Sequence, residues 1–399
     1  MDDFREDRGG KSPASGMEQF RTRISGNNMG FLMGEEHSPR QMVEFLNSGA
    51  MFRGFDDVIK SMYPGEDLGA RLTKGMEALT GENHDSVARK VRNWLNGRNA
   101  PQSRETLFQI SFVLGLGEEQ ASRLLGMVDG MGIHYRNPDE LVYAYALRAG
   151  LSWKEAVRLK AKALEIMEER RSGADGEETV YTRQLREAFL SVKTEEDLMN
   201  FFRQNGRRLG RLHETAYRKF VELLEILRKP ESERDIAGPA GEEEKAYTME
   251  EIISNYLGMN VPEGRRLGNM TPLQKLVKKY WPNESSLVNM RNRKEDVSRK
   301  VMILLYLIIE SYNEEDWDED GWDEDGWDDW EEDEDGDTRL EIRLEKLNLF
   351  LDAYGMNLLD PGNAFDLLVL YAMRAEEMGE QMEMVMDELY TGQGRRKKD

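Results

Sequence analysis

Arg89, Lys90 and Asn93 lie within little more than one helical turn, and on a helix they share the side opposite Val87, Val91, Trp94 and Leu95. Guanidinium, ammonium and carboxamide groups placed this way suit recognition of nucleic acid. Such groups can read base edges in a major groove, while further cations nearby hold phosphate. Arg92, Arg98 and Arg104 fit the phosphate role, and Arg291, Arg293, Lys294 and Arg299 repeat the basic character later in the chain. Catalytic chemistry finds less support. His37, His84, His134 and His213 are widely separated and none has HExxH spacing, so each reads as an ordinary surface or partly buried residue. There is no Walker loop and no GxSxG elbow, and Gly130-Met131-Gly132 lacks the preceding strand of a dinucleotide fingerprint. Paired carboxylates occur on nearly every expected helix and single out none. The chain therefore reads as a binding protein rather than an enzyme, with no cofactor and no metal.

The elements that must position these side chains are helices. The stretch from His84 packs one face and leaves the other basic. Gly97 can take the left-handed conformation that ends it, Pro101 prevents its resumption, and Ser103 is placed to cap a new helix carrying Leu107, Phe108, Ile110, Phe112 and Leu114. With Trp94-Leu95-Asn96-Gly97-Arg98, Pro101 and Leu114-Gly115-Leu116, residues 55–125 resemble the lambda-repressor/Cro-like (XRE) helix-turn-helix family. The resemblance implies a recognition helix in the major groove of double-stranded DNA. It departs from the family in one respect, because the turn glycine expected near Asp85 is found at Gly81.

With 399 residues the chain can build two or three cores. Zero cysteines exclude disulfides and thiolate metal sites and fit a reducing compartment. The first residues contain no apolar signal core, and the longest apolar run, Val301 to Ile309, is too short to span a bilayer, so a soluble cytoplasmic protein without a membrane partner is expected. Of the formal net charge of −22, 17 carboxylates fall between Glu314 and Asp337, where there is no basic residue, leaving −5 for the remainder. Local patches, not the total, decide what such a chain binds.

No stretch alternates as a strand would, so the expected class is all-α. Residues 1–37 read as a disordered N-terminus, 38–171 as a helical unit containing the helix-turn-helix-like segment, and 179–229 as a helical middle segment. Residues 230–246 read as a linker, 247–392 as a second helical unit and 393–399 as a basic tail. The two units look related. Asp56-Asp57-Val58-Ile59 recurs as Glu250-Glu251-Ile252-Ile253, Arg71-Leu72 as Arg266-Leu267, and Ser103-Arg104 as Ser298-Arg299. Asn137, Glu140, Leu141, Tyr145 and Arg148 match Asn363, Asp366, Leu367, Tyr371 and Arg374 at an offset of 226 instead of 195, so an internal repeat is expected with the acidic stretch inserted in its second copy. The Asn137-Pro138-Asp139-Glu140 run predicts a helix start with Glu140 at the capping-box position.

The insertion at 313–337 carries Trp317, Trp322, Trp327 and Trp330 among its carboxylates. It reads first as a solvated low-complexity loop. It also suits an intramolecular competitor that places carboxylates on the basic helices. A calcium loop is the weakest fit: Asp316, Asp318, Asp320 and Gly321 match its first half, but Trp327 stands where a bidentate Glu belongs. Two functions follow from the whole reading. One is a DNA-binding transcriptional regulator, perhaps of a phage or other mobile element. The other is a protein-interaction adaptor that keeps the scaffold without the nucleic acid, which the acidity and the 23 methionines favour.

Overall fold

Helix ends in this chain are written into the residues before and after them. Ser38 and Gln41 close a reciprocal capping box ahead of Pro39, Thr194 and Asp197 do the same later, and Asn137 and Asn363 each accept backbone N–H groups at the start of a helix. At the other ends, Gly81 and Gly115 adopt left-handed φ of 68°. In a computed structural model, which describes residues 23–101, 103–170, 182–210, 212–228, 246–262, 270–310 and 335–392, these signals delimit 19 α-helices and no strand among the described residues. Residues 1–22, most of the expected linker, Arg266-Leu267 and the acidic insertion up to residue 334, with its calcium-like half-loop, lie outside them.

In chain order the helices are α1 (Arg23–Leu32), α2 (Pro39–Ser48), α3 (Phe55–Met62), α4 (Leu68–Thr80), α5 (His84–Leu95), α6 (Arg104–Leu114), α7 (Glu118–Asp129), α8 (Pro138–Arg148) and α9 (Trp153–Arg170). The middle of the chain supplies α10 (Thr182–Leu190), α11 (Glu195–Asn205) and α12 (Glu214–Arg228). The rest follows as α13 (Met249–Ile252), α14 (Pro272–Lys278), α15 (Glu284–Arg291), α16 (Arg299–Glu310), α17 (Gly336–Ala353), α18 (Ala364–Ala372) and α19 (Met378–Asp387), with π-helical turns at Ile253–Leu257 and Glu388–Gly392. No described helix is long and apolar enough to cross a membrane.

Two apolar cores divide these helices, though not at the boundaries the sequence suggests. One core takes α3 to α11, from Phe55 to Phe202. The other takes α13 to α19 together with α1, α2 and α12. The expected middle segment is thus shared: α10 and α11 side with the first core, while α12 buries Phe220, Leu223 and Leu224 in the second. The expectation of disorder up to residue 37 is corrected for residues 23–32, which form α1. It is held because Asn28, fully buried, donates to the carbonyls of Met51 and Pro361 at 2.6 and 2.7 Å. Fixing a helix there satisfies an otherwise orphaned pair of carbonyls, which local composition does not reveal.

Within the first core α4, a three-residue turn and α5 form the helix-turn-helix arrangement. Gly75 lets α4 cross α6 closely, since a methyl there would fall 2.4 Å from Val113 Cγ1. Gly81 is the left-handed cap of α4, so the early glycine shortens the turn without disturbing it.

Each core is locked to its own loop by an arginine at the start of a helix. Arg104, the first residue of α6, donates from Nε and Nη2 to Glu140 at 2.7 and 2.8 Å and also reaches the carbonyls of Met131 and Gly132. Arg299, the first residue of α16, donates to Asp366 at 2.7 and 2.9 Å and to the carbonyls of Asn357 and Leu358. The backbone N–H groups of His134 and Asp360 complete the two carboxylates, at 2.8 and 2.9 Å. Every partner of the first clasp therefore has its counterpart in the second, at the same offsets of 195 before the insertion and 226 after it. The two clasps also touch, as Asn357 N–H donates to the Gly130 carbonyl at 3.1 Å.

Candidate nucleic-acid interface and central cleft

The basic side of α5 is open. Val87, Val91 and Trp94 are buried, while Arg89, Arg92 and, after the turn, Arg98 are exposed and have no carboxylate partner among the described residues. Asn93 is half-buried on the flank of this face. Lys90 is exposed but held by Glu82, its Nζ 2.6 Å from Oε2. At the N-terminus of the helix His84 meets Glu77 at 2.9 Å, a hydrogen bond that raises the imidazole pKa. A helix of 12 residues is about 18 Å long, enough to cross a major groove roughly 12 Å wide. Gly97 at φ +66° ends it, and Arg98 N–H returns to the Asn93 carbonyl at 3.0 Å.

The corresponding helix of the second unit is covered. Arg291 meets Glu225 at 3.2 Å, and the Tyr217 hydroxyl donates to the Arg291 carbonyl at 2.9 Å. Arg293 pairs with Glu214 and lies 4.7 Å from the Tyr217 ring centroid. Glu214, Tyr217 and Glu225 all belong to α12, which lies along α15. Arg293 also takes the left-handed turn position, φ 57°, that glycine fills in the first unit, and its contacts to α12 offset the strain. Of the cations predicted there, only Lys294 is exposed without such a partner among the described residues. Arg104 and Arg299, expected at phosphates, point inward instead. Arg299 has 7% of its side chain exposed and Asp366 3%, so the pair serves the fold and leaves the surface set.

Where the two cores meet, a cleft of about 640 Å³ is bordered by both clasps, by Trp281, Phe365 and Lys300, and by His134, His213 and Asp296. Lys300 donates to the carbonyls of Val277 and Lys279 at 2.6 and 2.7 Å and lies 4.5 Å from the Phe365 ring centroid. Burial pushes its ammonium pKa down to about 7. The rings of His134 and His213 stack with centroids 3.5 Å apart, and His213 Nδ1 is 2.5 Å from Asp296 Oδ2. Sequence spacing hides this group because its members are 79 and 83 residues apart. His134 is 5% exposed, and burial, followed by the fields of His213, Arg104 and Arg136, holds its pKa well below the ordinary value of 6.5.

A folded state that resists protonation of His134 binds fewer protons than the unfolded chain just below that value. Its contribution to stability is therefore present above pH 6.5 and lost as the pH falls, by up to about 1.4 kcal/mol per pH unit. Urea unfolding at pH 7.0 and 5.5 should show the loss, and His134→Gln should flatten it; an equal pH dependence in the variant would refute the assignment.

Comparison with protein-family models, curated proteins and solved structures finds no match to this chain.

Proposed function

We propose that this chain binds double-stranded DNA through α5 alone and acts as a regulator of transcription, in the cytoplasmic setting that its cysteine-free composition suits. The observation carrying this reading is the exposed Arg89, Arg92 and Arg98 on and just beyond one 12-residue helix, without carboxylates to neutralise them, in a chain otherwise dominated by acid. Arg89 and Asn93 are the base-reading candidates, Arg92 and Arg98 the phosphate contacts, and Lys90 joins them if Glu82 lets go. The helix-turn-helix resemblance belongs to the same proposal. One chain then offers one reading head, so a palindromic site would require two chains.

Selection from random duplexes, followed by titration at several salt concentrations, tests this. Replacing Arg89, Arg92 and Arg98 by alanine should lower the log–log salt slope by about 2.7 if all three meet phosphate or its counterion atmosphere. Arg291→Ala should leave the slope unchanged, since α12 covers that side. Unaltered binding in the triple variant would remove the proposal.

A second reading, an adaptor for a helical partner, rests on α9. There Val157 is 45% exposed and Leu164 38%, on a stripe that also includes exposed Ala161. Apolar residues at i, i+4 and i+7 are the spacing by which a helix offers itself to another.

A further inference from the structure

His134 Nε2 is a buried nitrogen with no hydrogen-bond partner. A neutral imidazole so placed forfeits the interactions it had in water unless something in the folded protein takes its lone pair or its proton. The groups beside it are not apolar. His213, 3% exposed, stacks on it, and Asp296 stands at the far side of His213. One donor atom from each of the three falls within 4.8 Å of the others.

We propose that His134, His213 and Asp296 form a binding site for a divalent transition-metal ion, with a coordination position left open to water from the cleft. Two imidazoles and one carboxylate suit Zn²⁺, Co²⁺ or Ni²⁺ better than Ca²⁺ or Mg²⁺, which prefer oxygen throughout. Donors around a tetrahedral ion stand about 3.3 Å apart, given metal–ligand distances of about 2.0–2.1 Å. The trio must therefore contract from 4.8 Å at its widest, while the pair already at 2.5 Å opens slightly.

Each ligand has a fixed backbone. His134 N–H is anchored to Glu140, and the remaining Asp296 oxygen accepts from the N–H groups of His213 and Val297, both at 3.0 Å. These outer bonds aim the ligands. Arg104 and Arg136 lie close enough to His134 to oppose a dication. Glu140 neutralises the first at 2.7 Å, and Glu214 faces the second. Binding displaces the proton now shared by His213 and Asp296, so uptake is accompanied by proton release and weakens in acid.

The ion would join three separate parts of the chain. His134 precedes α8 in the first core, Asp296 precedes α16 in the second, and His213 precedes the α12 that covers α15.

The test titrates the full chain with Co²⁺. Four- or five-coordinate Co²⁺ with nitrogen ligands absorbs strongly in the visible, whereas Co²⁺ scattered over surface carboxylates stays octahedral and absorbs weakly. One equivalent should give the strong band. With four histidines in the chain, the double variant H37Q/H84Q leaves only the proposed pair and should keep the band. H134Q should lose it, and D296N should bind Co²⁺ more than roughly tenfold more weakly, with unchanged circular dichroism. If H134Q unfolds, D296N and the double variant decide. Absence of the band in the wild type, its loss in H37Q/H84Q, or undiminished affinity in D296N would overturn the site.

Discussion

Asp366→Ala should destabilise the protein by about 3–5 kcal/mol, because it strands a guanidinium where water cannot reach it. Arg299 and Asp366 are both nearly inaccessible, and the carboxylate accepts from two guanidinium nitrogens and from Asp360 N–H. Removing it leaves the cation facing only the carbonyls of Asn357 and Leu358. Replacing both members with apolar residues, as in R299M/D366L, should recover much of the loss, because the desolvation of two charges disappears with their attraction. Urea unfolding followed by circular dichroism measures each variant. The same deletion in the first clasp, Glu140→Ala, should cost less, since Arg104 retains 26% of its side-chain exposure and water can solvate it. A single Asp366→Ala loss below about 1 kcal/mol would mean that the second clasp is not closed in solution.

Phe220→Ala should cost about 3–5 kcal/mol, as expected for removing a large side chain from a site that cannot collapse around the cavity. Phe220 is fully buried and fastens α12 to α16 within the second core. The substitution also loosens the cover over α15, so amides from 284 to 292 should exchange with deuterium faster than those of α5. Leu190→Ala is the matched control: at 52% exposure it should change stability by less than about 0.5 kcal/mol. Equal effects in the two variants would contradict the placement of α12.

Much of the secondary structure is legible in the sequence because caps are local. Ser38-Pro39, Thr194 with Asp197, Asn137-Pro138 and Gly115 all do what their types predict. The all-α class follows from the same signals. What escapes the sequence is long-range pairing. Glu140 has the right position to return to its own helix start, yet it turns to Arg104 and His134, and α8 is capped by Asn137 alone. Ser103-Arg104 and Ser298-Arg299 are recognisable as a repeated pair, but local spacing reads their arginines as surface cations. Their carboxylates lie 36 and 67 residues away. Likewise nothing near Arg291 or Arg293 announces that α12, some 70 residues upstream, supplies Glu214 and Glu225. The exposed face of α5 was legible because its apolar and basic residues separate at helical spacing within a single segment.

The paired clasps have one further consequence. In an assembly of two identical chains, any substitution that shields a surface on one subunit shields it on both, so the subunits cannot specialise. Here each copy of the arginine–carboxylate lock is encoded by its own stretch of one polypeptide, and the hydrogen bond from Asn357 to Gly130 fastens them together. Mutations can then accumulate in one half without touching the other, which is how a helix that stays bare in the first copy can lie under α12 in the second.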